Sequence, residues 1–162
     1  MASKNLTAGK KRGFGLYLDA AGIVLAVAGA VATVLCSTKS ADYALAGLPF
    51  YLVLIVVAIA LTVAGALAQA KDGLNPIVAN ACSAVAVFAL VFTAVKVIGA
   101  RVILASGLFS WNASNQIGWG VFNSTIVATV LLVVAALVLV VAAFLPAFKD
   151  AEPTDELDRQ WL

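Results

Sequence analysis

Residues 102–148 read VILASGLFSWNASNQIGWGVFNSTIVATVLLVVAALVLVVAAFLPAF, 47 positions without one Asp, Glu, Lys or Arg. As a single α-helix rising 1.5 Å per residue, this stretch would run to about 70 Å, more than twice the roughly 30 Å hydrocarbon core of a bilayer. It has to break. The place is marked by Ser110-Trp111-Asn112-Ala113-Ser114-Asn115-Gln116, a polar cluster followed by Gly118 and Gly120. Beyond it, Asn123 or Ser124 is the expected N-cap of a last apolar helix that runs to about Leu145, where Pro146 helps to end it.

Toward the N-terminus three more apolar runs are legible. Ala20 to Thr38 is uncharged and long enough to cross once; Pro49 to Ala68 starts with proline at a first turn, where its missing N–H costs nothing. Asn75-Pro76 repeats that device and opens a third run reaching at least to Val95. The expected spans are therefore about 17–38, 49–70, 76–98 and 124–146, with an outer loop at about 106–123. The expected fold is an all-α integral membrane protein, an antiparallel four-transmembrane-helix bundle over residues 14–148 with N- and C-termini cytoplasmic. A basic cytoplasmic segment (1–13) precedes it and an acidic cytoplasmic tail (149–162) follows.

That orientation follows from basic residues, which accumulate on the cytoplasmic side. With the N-terminus inside, Lys4, Lys10, Lys11, Arg12, Lys71, Lys149 and Arg159 are internal, leaving Lys39, Lys96 and Arg101 outside. Lys10-Lys11-Arg12 before an apolar run also describes a secretory signal, but the run exceeds the usual length and an uncleaved first span is expected.

Composition agrees. At 64% apolar and 11% charged, the 162-residue chain is far from the roughly 45–50% and 25% of soluble domains, and four spans leave no room for a separate one. It contains no His, the commonest metal ligand and general base, and no redox Cys-x-x-Cys, so no enzymatic activity and no cofactor are expected. Cys36 and Cys82 fall at opposite levels of the bundle, too far apart for a disulfide, and are expected free.

Helices in lipid associate through close packing of small residues. Gly22, Ala26 and Ala30 in the first span, Ala60, Ala64 and Ala68 beside Ala58, Thr62 and Ala66 in the second, and Ala79, Cys82, Ser83 and Ala86 in the third supply such faces. More small-residue faces exist than one bundle can turn inward, which points to a protein partner or a second copy.

Four charges are candidate functional residues. Asp19 lies at the inner margin of the first span, where a carboxylate marks a proton or cation path or else reaches headgroup water, Arg12 or Lys71. Lys96 and Arg101 fall at the outer boundary, placed to snorkel to headgroups or to line an outward vestibule with Asp42. In the outer loop, Phe109, Trp111, Trp119 and Phe122 among uncharged amides fit an interfacial aromatic belt. In the tail, Thr154 can cap a short helix that places Leu157 and Trp161 four apart with Leu162 beside them, a candidate partner-docking element too short to be stable alone.

The expected function is a small polytopic membrane protein without catalytic chemistry, an accessory or scaffolding subunit of a larger membrane complex, with transport as one setting. In size and span count it resembles the small membrane subunits of some bacterial solute carriers, a likeness of architecture that carries no substrate. The alternative is a self-associating pore or small-solute channel component. The expected partners are the lipid bilayer and a membrane protein or further copies, without nucleic acid; the alanine- and valine-rich spans suggest a bacterial plasma membrane.

Overall fold

A computed structural model describes residues 11–70, 76–145 and 147–149. In chain order these form β1 (Lys11–Arg12), α1 (Phe14–Thr38), a 3-10 turn (Ala41–Tyr43), α2 (Leu48–Ala70), α3 (Pro76–Gly99), α4 (Val102–Ser110), α5 (Gln116–Ala143) and β2 (Phe148–Lys149). Four segments are long and apolar enough to cross a membrane: Phe14–Thr38, Leu48–Gln69, Ile77–Ser110 and Gln116–Ala143. They close into a ring in which α1 packs on α2, α2 on α3, α3 on α5 and α5 back on α1.

The bundle is built on the α1–α5 pair. Buried positions on α5 are Gly118, Val121, Thr125, Ala128, Leu132, Ala135, Leu139 and Ala142, alternating steps of three and four over the whole helix, with Ala136 beside them. That 3.5-residue repeat keeps one seam turned toward a neighbour along a left-handed supercoil. α1 answers with Gly15, Gly22, Ala26, Gly29, Thr33 and Cys36 at the same period. Two large side chains fill two notches: a Cβ on Gly22 would lie 2.6 Å from Leu139 Cδ2, and one on Gly29 2.7 Å from Leu132 Cδ2. Numbers fall along α5 as they rise along α1, so the pair is antiparallel. The expected stripe of Gly22, Ala26 and Ala30 is thus half of the contact: Gly29 takes the notch, while Ala30 is partly buried against the core of Ile55, Leu90 and Leu132.

Most threonines at buried positions cause no polar gap in this interior; the exception is Thr129, whose buried hydroxyl has no hydrogen-bond partner among the described residues. The hydroxyls of Thr33, Thr62, Thr93 and Thr125 each donate to the carbonyl four residues earlier on their own helix, at 2.8–2.9 Å. Each side chain therefore presents a methyl to its neighbours. Cys36 and Cys82 are free, and Cys36 donates its thiol to the Thr33 carbonyl.

Two expected boundaries are corrected. The last helix begins at Gln116 rather than 124, and residues 106–110 of the expected outer loop belong to helix α4. The reason is Asn115. Its Oδ1 accepts the Gly118 amide at 2.9 Å, a complete N-cap more than two turns ahead of the expected one, while the Ser124 hydroxyl donates back to the Gly120 carbonyl inside the helix. Asn75 and Pro146 lie outside the residues whose side chains are described. The connection between α4 and α5 shrinks to 111–115, and α4 lies along the first turns of α5, with Leu108 Cδ2 2.9 Å from a Cβ built on Gly118. With 28 residues, α5 is about 42 Å long and outruns α1 at this end.

Asn115 also donates from Nδ2 to the Tyr43 hydroxyl at 2.9 Å, tying the α1–α2 connection to the start of α5. Asn115→Ala is expected to cost about 1–2 kcal/mol, and Asn115→Ser, which keeps the cap but not the Tyr43 bond, less. Detergent unfolding followed by helicity would measure both; equal losses would assign the whole effect to the lost amide rather than to the cap.

At the other end, Lys11 pairs with Lys149 and Arg12 with Phe148 in a two-residue antiparallel bridge. The Gly13 amide donates to the Ala147 carbonyl at 2.8 Å, and the Ala147 amide donates to Gln69 Oε1 at 3.2 Å. The start of α1, the end of α2 and the segment after α5 meet on one side.

Candidate functional site

Polar side chains gather at two levels of the bundle. At the end away from the β bridge, two cations sit on the C-terminal turn of α1, whose last carbonyls have no helical partner and carry the negative end of the helix dipole. Lys39 donates from Nζ to the Gly120 carbonyl at 3.0 Å and to Ser124 Oγ at 2.5 Å. Arg101, which precedes α4, donates from Nη2 to the Cys36 carbonyl at 3.3 Å and is 5% exposed, its Nε without a partner. Ser37 Oγ accepts the Leu45 amide. These bonds lace α1, α4, α5 and the 3-10 turn into one closed end.

The expected outer vestibule does not form. Arg101 does not snorkel: the chain turns at Gly99–Arg101, where the Ala100 and Arg101 amides bond back to Lys96 and Ile98, and the guanidinium is led beneath the end of α1. Lys96 stays on α3, exposed, with Nζ 5.4 Å from the Phe92 ring centroid. Asp42 is exposed in the 3-10 turn and pairs with neither. Of the aromatic set, Phe109, Trp119 and Phe122 form an edge-to-face trio with centroids 5.1–6.1 Å apart, and Trp119 Nε1 donates to the Ala113 carbonyl. Trp111 is exposed.

The second level is a cleft between α1 and α2, nearer the β bridge. It measures about 230 Å³ and is lined by Leu16, Asp19, Ala20, Ile23, Thr62, Val63, Ala66 and Leu67. Its origin is the α1–α5 seam: the glycine notches draw α1 onto α5, so α1 meets α2 less closely, and Ala20 and Ala66 leave the gap unfilled. Asp19 lies five residues into α1, about 7.5 Å along its axis, and is half-buried. Thr62 spends its hydroxyl proton on the Ala58 carbonyl. Arg12 makes no ion pair with Asp19, and among the described residues no cation or hydrogen-bond donor reaches this carboxylate; Lys71 lies outside them. A comparable cleft of about 270 Å³ beside Ala32, Leu35, Asn123 and Val127 contains Lys39 and Ser124, but those groups are already bonded to each other.

Asp19 is thus the sequence-predicted charge that the fold leaves facing a cavity without a partner among the described residues, whereas Arg101 is consumed structurally and Lys96 and Asp42 stand apart. Leu157, Trp161 and Leu162 lie outside the described residues. Lys39, Asn115 and Thr62 were not singled out as site residues; a basic residue directly after a helix C-terminus is the signal that points to Lys39. Comparison with protein-family models, with curated proteins and with solved structures finds no match for the chain.

Proposed function

We propose that the chain is a non-catalytic, multi-pass subunit of a larger membrane assembly, resident in a bacterial plasma membrane with both ends in the cytoplasm. The observation that carries this reading is the filled interior. Leu90, Val97, Val121, Leu132 and Leu139 occupy the space between the helices, all nearly or wholly buried, and the hydroxyls of Thr33, Thr62, Thr93 and Thr125 are turned onto their own helices. A solute passing through one copy would meet aliphatic carbon rather than a polar path. What the molecule offers its surroundings is surface: aliphatic faces toward lipid, an aromatic trio at one end and the Asp19 cleft. The orientation is supported by the β-bridge end, where Lys11, Arg12 and Lys149 come together on the side expected to be internal.

Affinity purification of the tagged chain from its native membrane in mild detergent, followed by mass spectrometry, is expected to recover a larger membrane protein at defined stoichiometry. Recovery of a pure homo-oligomer that makes liposomes leak ions would overturn the subunit reading in favour of a self-associating pore, with the path between copies.

A further inference from the structure

We propose that the α1–α2 cleft receives a lysine or arginine side chain from a transmembrane helix of the partner protein, with Asp19 as its counter-charge. This rests on the subunit reading and names what the subunit holds. Ionisable side chains within membrane spans are costly and are found paired or facing a cavity. Asp19 faces a cavity, and among the described residues nothing in its own chain pairs with it.

Size selects the occupant. Small-molecule sites enclose roughly 300–1,000 Å³; this cleft, at about 230 Å³, is below that range and has room for one long side chain. Its walls suit such a chain. Leu16, Ile23, Val63 and Leu67 offer aliphatic surface to a methylene stem, and Asp19 offers the charge for its head, the division that long basic side chains have themselves. Thr62 adds a hydroxyl oxygen that still has acceptor capacity.

The cation comes from a different protein. Among the described helices, Lys96 is at the far end of α3, and Lys39 and Arg101 are bonded at that same far end. A second copy inserted in the same direction therefore brings no helical Lys or Arg to the depth of Asp19. The neighbouring surface is suited to a helix: Val63 and Leu67 on α2 are exposed beside the cleft, one turn apart.

The test is a photo-crosslinking amino acid at position 67 of the full chain, irradiated in the native membrane, with the adduct sequenced. The expected adduct is a transmembrane helix of another protein with a Lys or Arg within two turns of the attachment. Asp19→Asn, close in shape but uncharged, is expected to lower its yield about tenfold, and Asp19→Glu to restore most of it. Helicity and gel filtration of each variant confirm that the bundle itself is intact. An adduct with lipid alone, with a second copy or with a helix lacking a basic residue would overturn the proposal, as would equal yield from Asp19→Asn. If a stoichiometric partner co-purifies while position 67 gives no protein adduct, the cleft proposal falls and the subunit reading stands; if no partner co-purifies either, both fall.

Discussion

Gly29→Val is expected to unseat α5 from α1 and to be among the most damaging single substitutions in the chain. A Cβ at position 29 lies 2.7 Å from Leu132 Cδ2 and 2.9 Å from Leu132 Cγ, so the leucine must give way. With the Leu132 amide nitrogen at 3.5 Å, already at contact distance, the two further methyls of valine have no free space to enter. Overpacking of a tight core costs about 1–3 kcal/mol for modest additions, and a branched side chain here is at or beyond the upper end. Gly22→Val meets Leu139 in the same way. The mechanism has a specific signature. Leu132→Ala removes the group that clashes, so Gly29→Ala combined with Leu132→Ala is expected to be more stable than the two single losses add up to, with a coupling of about 1 kcal/mol or more. Gly99 is the control, since nothing lies within 4 Å of its built Cβ and Gly99→Ala should be neutral or slightly favourable. Unfolding in mixed micelles, followed by helicity, measures all of these; strict additivity at positions 29 and 132 would mean that the notch is not what seats α5.

The second large effect is expected at Arg101. Arg101→Ala removes a charge-assisted bond to the Cys36 carbonyl, worth about 1.5–3 kcal/mol, and the packing of a buried stem besides. Arg101→Lys keeps the charge as a single point without the planar fork and is expected to recover only part of the loss. Arg101→Met separates the two contributions: it keeps the stem and removes a buried cation whose Nε has no partner, so it should lie between wild type and alanine. If methionine equals or exceeds wild type in stability, the guanidinium is a net burden to the fold and its retention has to be explained by something other than stability.

The two cases also illustrate what could be read from residues alone. The number of long apolar helices, the starts of α2 and α3 and the place of the break before α5 follow from run lengths and from proline and asparagine chemistry, which are local. The start of α5 was misplaced because Asn115 and Ser124 are both competent caps, and only the Gly118 amide and the Tyr43 hydroxyl at hand decide between them. The small-residue stripes were visible, yet which helix each one served was not. Gly29 became a notch because Leu132 stands opposite, a fact of pairing rather than of spacing. Arg101 was misread for a related reason: a basic residue at the end of an apolar run is ordinarily led outward, but here a turn at Gly99–Arg101 points it under a neighbouring helix terminus. Asp19 was legible as a charge at the margin of an apolar run. The cleft that gives it meaning exists because α1 leans toward α5, which no local pattern encodes.

That lean sets an order of events during synthesis. The notches at Gly22 and Gly29 are filled by Leu139 and Leu132, which the ribosome adds about a hundred residues later. At roughly 5–20 residues per second, α1 is complete on the order of 5–20 seconds before its main neighbour exists. An early helix is thus clasped late, and any chain released before residue 132 carries a grooved, acid-bearing α1 whose main neighbour is missing.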